Sequence, residues 1–163
     1  MLALPIMSVA YALNIEPQDT IRLRVIPNSN TIRDRAIKHQ VRQVIESDLA
    51  KTLAEVNDLK KARKITKDRI PVLEQDINYI LRSNNIRHNA TVEYGMNYLP
   101  RTSGYGVIFP AGYYESIIVT IGRGRGANWW CILFPPHCLI EARESEKIEY
   151  RSFFKDIISR LNR

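Results

Sequence analysis

Asn128-Trp129-Trp130-Cys131-Ile132-Leu133-Phe134-Pro135-Pro136-His137-Cys138 decides the fold. Both tryptophans, both cysteines and the single Pro-Pro pair of the chain fall inside it. From Trp129 to Phe134 every side chain is apolar apart from one thiol, and such a run reads as a strand covered on both faces. Pro135 and Pro136 stop it, because neither can donate to a ladder. Immediately upstream, Ile117, Val119 and Ile121 form one face of another strand, which leaves Gly122–Asn128 as a hairpin loop between strand neighbours.

Outward from this stretch the pattern changes period twice. Ile21, Leu23 and Val25 alternate with Arg22 and Arg24, which gives a strand with one buried and one wet face. Pro27-Asn28-Ser29-Asn30 ends that strand. Asn30 or Thr31 then supplies a capping oxygen to a helix with Asp34 in its first turn. Ile37, Val41, Val44, Ile45, Leu49, Leu53 and Val56 make its apolar stripe, with Arg33, Lys38, Arg42 and Lys51 on the wet side. The basic run Lys60–Lys64 reads as a connection, and a second helix is expected from about Asp68, with Pro71 in its first turn. Ile70, Leu73, Ile77, Ile80 and Leu81 form its stripe. Val92, Tyr94, Met96 and Tyr98 then alternate with polar residues as a half-buried strand, and Pro100–Gly104 is a loop. Phe153, Phe154, Ile157, Ile158 and Leu161 recur as the stripe of a last helix.

The expected fold class is therefore α+β: a mostly antiparallel sheet of about four strands, two long helices on one face and a C-terminal helix. Residues 20–163 are expected to form one domain, preceded by a polar arm over 13–19. Residues 1–12 are apolar, uncharged and end in Ala10-Tyr11-Ala12, the pattern of a signal-peptide cleavage site, but they lack a basic n-region. They read as a truncated export signal; a buried first strand is the alternative.

With 45% apolar and 25% charged residues the chain has the composition of a globular protein. Its net charge of +7 is concentrated early: residues 21–90 hold fifteen Lys/Arg against eight Asp/Glu. Such a surface either attracts an anionic partner or is a solvated helix face.

No catalytic set emerges. Cys131, His137 and Cys138 are poorly spaced for zinc, with no Cys-x-x-Cys knuckle, and no metal or other cofactor is expected. A Cys–His nucleophile pair using Cys131 or Cys138 with His137 needs an orienting group that the sequence does not supply. Glu115 stands alone at the start of a strand. In an exported protein Cys131 and Cys138 are expected to pair as a disulfide; two separate buried thiols are the alternative. Gly122-Arg123-Gly124-Arg125-Gly126 is no Walker motif, since no Lys-Ser/Thr follows and it leads into a strand. Trp129 and Trp130 point to opposite faces, so one is expected in the core and the other as either second-layer core or an exposed anchor. Arginines beside an exposed tryptophan have the composition of a protein–protein hot spot. Phe109, Pro110, Ala111, Gly112, Arg123, Arg125, Trp129 and Trp130 are accordingly the candidate partner-binding residues, joined into one patch across the strand between them.

Phe109-Pro110-Ala111-Gly112-Tyr113-Tyr114-Glu115, the segment Ile121–Cys131 and Leu133–Cys138, in this order and spacing, resemble the stage II sporulation protein R family of endospore-forming bacteria. Arg22–Asn30 followed by a charged helix also fits, so the resemblance covers roughly residues 20–140. It implies a non-enzymatic signal, exported from the forespore into the intermembrane space. There its partner would be the membrane-embedded aspartic protease that processes pro-sigma-E in the mother cell, with no nucleic acid and no small-molecule substrate. Two readings of other classes stand beside it. One is a thiol-dependent hydrolase, and the other a basic nucleic-acid-binding domain using Lys60–Lys64 and the glycine–arginine loop.

Overall fold

Ile21, Leu23 and Val25 are wholly buried on the first strand, β1 (Ile21–Ile26), and the rest of the core is laid against them. The computed structural model describes residues 19–104 and 107–135. After β1 come helix α1 (Ile32–Leu53), helix α2 (Leu59–Ser83) and strands β2 (Ala90–Leu99), β3 (Thr102–Gly104), β4 (Val107–Phe109), β5 (Gly112–Ile121) and β6 (Trp129–Phe134). Strands β2-β5-β1-β6, in that spatial order, form one sheet, and β3-β4 form a separate short ribbon.

The α+β class holds, but the sheet is mixed and not simply antiparallel. β1 runs parallel to β5, while β2–β5 and β1–β6 are antiparallel. The reason lies in the two helices. One helix returns the chain along the sheet and the second carries it back again, so β2 sets off opposite to β1. β5 reverses once more and fits beside β1 in the same direction.

The segment Gly122–Asn128 is likewise not a hairpin loop between neighbours. β1 lies between β5 and β6, so this segment crosses over the end of β1. Leu23 sits opposite Ile117 on one side and Cys131 on the other, which makes β1 the middle of the apolar centre.

Ile37, Val41, Ile45, Leu49 and Leu53 of α1 pack with Ala62, Leu73, Ile77 and Leu81 of α2 and the inward residues of all four strands in one cluster. Thr31 caps α1, its side-chain oxygen accepting from Asp34 N. Asp58 caps α2, accepting from Lys60 N and Lys61 N. The second helix thus begins some nine residues before the expected start, and Lys60–Lys64 are helical. Pro71 is interior and on the exposed side, where water can satisfy the carbonyl that loses its partner. Arg69 of α2 forms a bidentate ion pair with Asp48 of α1, tying the two helices together.

Thr102–Gly104, expected to be loop, pairs with Val107–Phe109. The expected C-terminal helix and the N-terminal export signal both lie outside the described residues.

Candidate functional site

On the sheet face away from the helices, alternation brings up Arg22 and Arg24 of β1, Tyr114, Ser116 and Ile118 of β5, and Trp130 of β6. A strand with every second residue arginine should wet that face. It does not: Arg22 is only 3% exposed. Its guanidinium carbon lies 4.6 Å from the ring centre of Phe109, 4.8 Å from that of Tyr114 and 5.8 Å from that of Trp130. Nη2 donates to Thr102 Oγ1, while Nε and Nη1 have no hydrogen-bond partner among the described residues. Burial lowers the Arg22 pKa from its usual value, opposed in part by Tyr114. Three aromatic faces therefore hold one desolvated cation. The β3–β4 ribbon matters here because it supplies both Thr102 and Phe109.

Arg24, one pleat further, stacks over Trp130 at 5.0 Å. The Asn128 amide, oriented with its oxygen inward, accepts from Arg24 Nη2 at 3.0 Å and Nε at 3.2 Å. On the helix face Trp129 has its own arginine: Arg42 lies 4.4 Å from its ring and donates to Glu46 Oε1 at 2.9 Å. Trp129 and Trp130 do point to opposite faces, and both are half-buried.

The crossover is anchored from below. Pro27 O accepts from Gly126 N at 3.0 Å and Asn28 O from Arg125 N at 3.2 Å. Asn28 Oδ1 accepts from Arg123 N at 3.0 Å and Asn30 Oδ1 from Ala127 N at 2.7 Å. Asn28 Nδ2 in turn donates to Asp34 Oδ2 at 2.9 Å, and Ser29 Oγ donates to the same oxygen. Burial would raise the Asp34 pKa, but hydrogen bonds from Ser29, Asn28 and Thr31, with His88 adding to them, hold it below the ordinary carboxylate value. Gly122 has φ +57°, and a Cβ there would stand 2.5 Å from Asn28 Oδ1. The glycines serve this close approach and leave Arg123 and Arg125 exposed at its tip.

The eight candidate partner-binding residues do not form one patch. Phe109, Pro110, Ala111 and Gly112 lie at the start of β5 and Arg123 and Arg125 beyond its end, about 30 Å of extended strand apart. Phe109 is buried (3%), whereas Pro110 and Ala111 are exposed. Of the eight, only Phe109 and Trp130 meet through a shared neighbour, Arg22, which touches one on each side. The alternation of β1 predicts a wet face for Arg22, so the alternation alone does not single it out. Aromatic residues at 109, 114 and 130 were the available signal. Cys131 is buried at the centre of β6, and Cys138 and His137 lie outside the described residues. Glu115 is not alone: it accepts from Arg63 Nε at 2.7 Å and from the Tyr94 hydroxyl. Among the described residues no three His, Cys, Asp or Glu side chains are grouped as metal ligands, and no helix is long and apolar enough to cross a membrane.

The fold and this face define a two-layer α+β domain with an arginine caged by aromatic rings in its sheet. The family model described as stage II sporulation protein R matches residues 17–144, and the chain belongs to that family. It is 29% identical over 134 residues to the stage II sporulation protein R of Bacillus subtilis (strain 168). The match covers 82% of this chain but only 59% of that relative, so the chain spans about three fifths of its length. No solved structure matches it.

Proposed function

We propose that this chain is a non-enzymatic sporulation signal, exported from the forespore into the intermembrane space to activate the membrane-embedded aspartic protease that processes pro-sigma-E. The observation that carries this reading is the family match over residues 17–144. Two features agree with it. The crossover tip presents Arg123 and Arg125 on a loop whose N–H groups donate four hydrogen bonds to Pro27, Asn28 and Asn30, so a partner meets a pre-ordered surface. Trp130, half-buried beside Arg24, supplies an aromatic–arginine pair of the kind that dominates recognition. Pro110 and Ala111, at the far end of β5, belong to a separate exposed corner. A disulfide between Cys131 and Cys138 belongs to the same reading, because it requires an oxidising compartment.

The test is an immunoblot for the processed sigma factor in a strain lacking the protein. Processing is expected to stop, to return with an exported copy, and to stay absent with a copy retained in the forespore cytoplasm. Paired Arg123→Ala and Arg125→Ala substitutions are expected to reduce processing while the protein accumulates normally. Normal processing in the deletion strain rejects the proposal.

A further inference from the structure

β2 is an edge of the sheet, paired to β5 over ten residues without a bulge. Native proteins usually blunt so long an edge with proline, lysine or an irregularity. β2, Ala90-Thr91-Val92-Glu93-Tyr94-Gly95-Met96-Asn97-Tyr98-Leu99, has none of these and a single charge, Glu93, on the face away from the helices.

The structure tells which backbone groups are spare. Gly122 N donates to Asn89 O at 3.0 Å, so residues 91, 93, 95, 97 and 99 share the parity that bonds to β5. Ala90 has the opposite parity, and both its outward groups are taken by one side chain: Asn78 Oδ1 accepts from Ala90 N at 2.9 Å and Asn78 Nδ2 donates to Ala90 O at 3.0 Å. Val92, Tyr94, Met96 and Tyr98 share the Ala90 parity and have no such cap among the described residues. Among the described residues the edge is closed at one end and open along the rest.

The open part also carries large exposed apolar and aromatic side chains. Met96 is 63% exposed, Tyr98 58% and Tyr113 67%, and the two tyrosines meet edge to face at 5.6 Å. Alongside runs the α2 stripe that contains Asn78. Counting back along it by helical steps gives Glu74, Pro71, Lys67, Lys64 and Lys60. Lys67 Nζ lies 5.7 Å from the Tyr94 ring, which sets Lys67 beside the open stretch, and Lys64 and Lys60 follow it along the same helix stripe. Lys60, Lys64 and Lys67 are exposed and make no ion pair among the described residues, whereas Arg63, on the inner side, is bonded to Glu115. A second copy docked edge to edge would set this lysine row against itself.

We propose that the outer edge of β2 accepts an extended, acidic segment of a partner protein as an added strand. Its main chain pairs with Val92, Tyr94, Met96 and Tyr98, and its carboxylates face Lys60, Lys64 and Lys67. The proposal goes beyond the signalling role and stands on the edge alone. Its failure leaves that role standing, because the role is scored by sigma-factor processing.

The probe is an eight-residue peptide of alternating valine and glutamate, compared with its valine–lysine counterpart and with a version N-methylated at alternate positions. Saturating acidic peptide is expected to slow amide exchange at Val92, Tyr94, Met96 and Tyr98 by at least about tenfold. The N-methylated form should do nothing. Met96→Pro removes only an outward N–H, so it should weaken binding at least about tenfold while the β2–β5 pairing persists. Lys64→Glu with Lys67→Glu should transfer the preference to the lysine peptide. Unprotected edge amides, equal binding of the N-methylated peptide, or indifference to the charge reversal would overturn the proposal. So would a concentration-dependent dimer dissolved by Met96→Pro, which would assign the edge to self-pairing.

Discussion

The Asn28 amide donates to the Asp34 carboxylate at 2.9 Å and, through its oxygen, accepts from Arg123 N at 3.0 Å. One side chain thus connects the end of β1, the first turn of α1 and the crossover that leads to β6. Removing it should loosen all three. Asn28→Ala is expected to cost about 1–3 kcal/mol, since a charge-assisted bond is lost and a backbone donor is left unmade. Urea unfolding against the parent protein measures it, and a loss within experimental error would show that the crossover holds itself.

The same junction predicts an acid limit. Asp34 titrates below its unfolded value, so its contribution is complete above the unfolded pKa of about 4 and is lost as the pH falls through the depressed folded one. Stability should decline below about pH 4, where the unfolded chain takes up the proton first. Asp34→Asn should be less stable than the parent at pH 7, with the gap closing toward pH 2. A gap independent of pH would assign the loss to packing.

Gly126 and its neighbouring arginines should behave oppositely. A Cβ at Gly126 would stand 2.5 Å from both Pro27 Cγ and Ser29 O, and the second of these is backbone. Gly126→Ala is therefore expected to cost about 1–3 kcal/mol. Arg123→Ala and Arg125→Ala should each stay within about 0.5 kcal/mol, because both side chains are exposed. Thermal melts of the three variants decide it.

Arg22 offers a test of what a caged cation contributes. Arg22→Met keeps the bulk among the three rings and removes a desolvated charge, two of whose nitrogens have no hydrogen-bond partner among the described residues. It should be neutral or stabilising by up to about 2 kcal/mol. Arg22→Ala leaves a void between Phe109, Tyr114 and Trp130 and should cost about 2–4 kcal/mol. If both variants lose stability equally, the guanidinium is bonding and not merely filling space.

Periodicity made the elements legible: Trp129–Phe134 is a strand as its apolar run indicates, and Ile37, Val41, Ile45, Leu49 and Leu53 of the α1 stripe are buried as their spacing indicates, with Val44 half-buried beside them. Pairing was not legible. Nothing local distinguishes a hairpin between β5 and β6 from a crossover with β1 inserted, because the deciding partners of Gly126 and Arg125 are Pro27 and Asn28, far away in sequence. The start of α2 was missed because Pro71 argues for a helix beginning nearby, whereas Asp58 caps it a few turns earlier. Arg22 was misplaced for a similar reason. Its strand neighbours signal a solvated face, and only the β3–β4 ribbon, invisible as alternation, covers it.

The central position of β1 also orders events in time. Leu23 finds Ile117 on one side and Cys131 on the other, so neither neighbour exists until most of the chain has been synthesised. The helices can form early, but the sheet centre must wait for these distant closures, and such long-range pairing is slow. Until β5 and β6 have been made, the centre of the sheet cannot close. The export proposed above would gain from such a delay, since a chain passes a translocation channel before it folds.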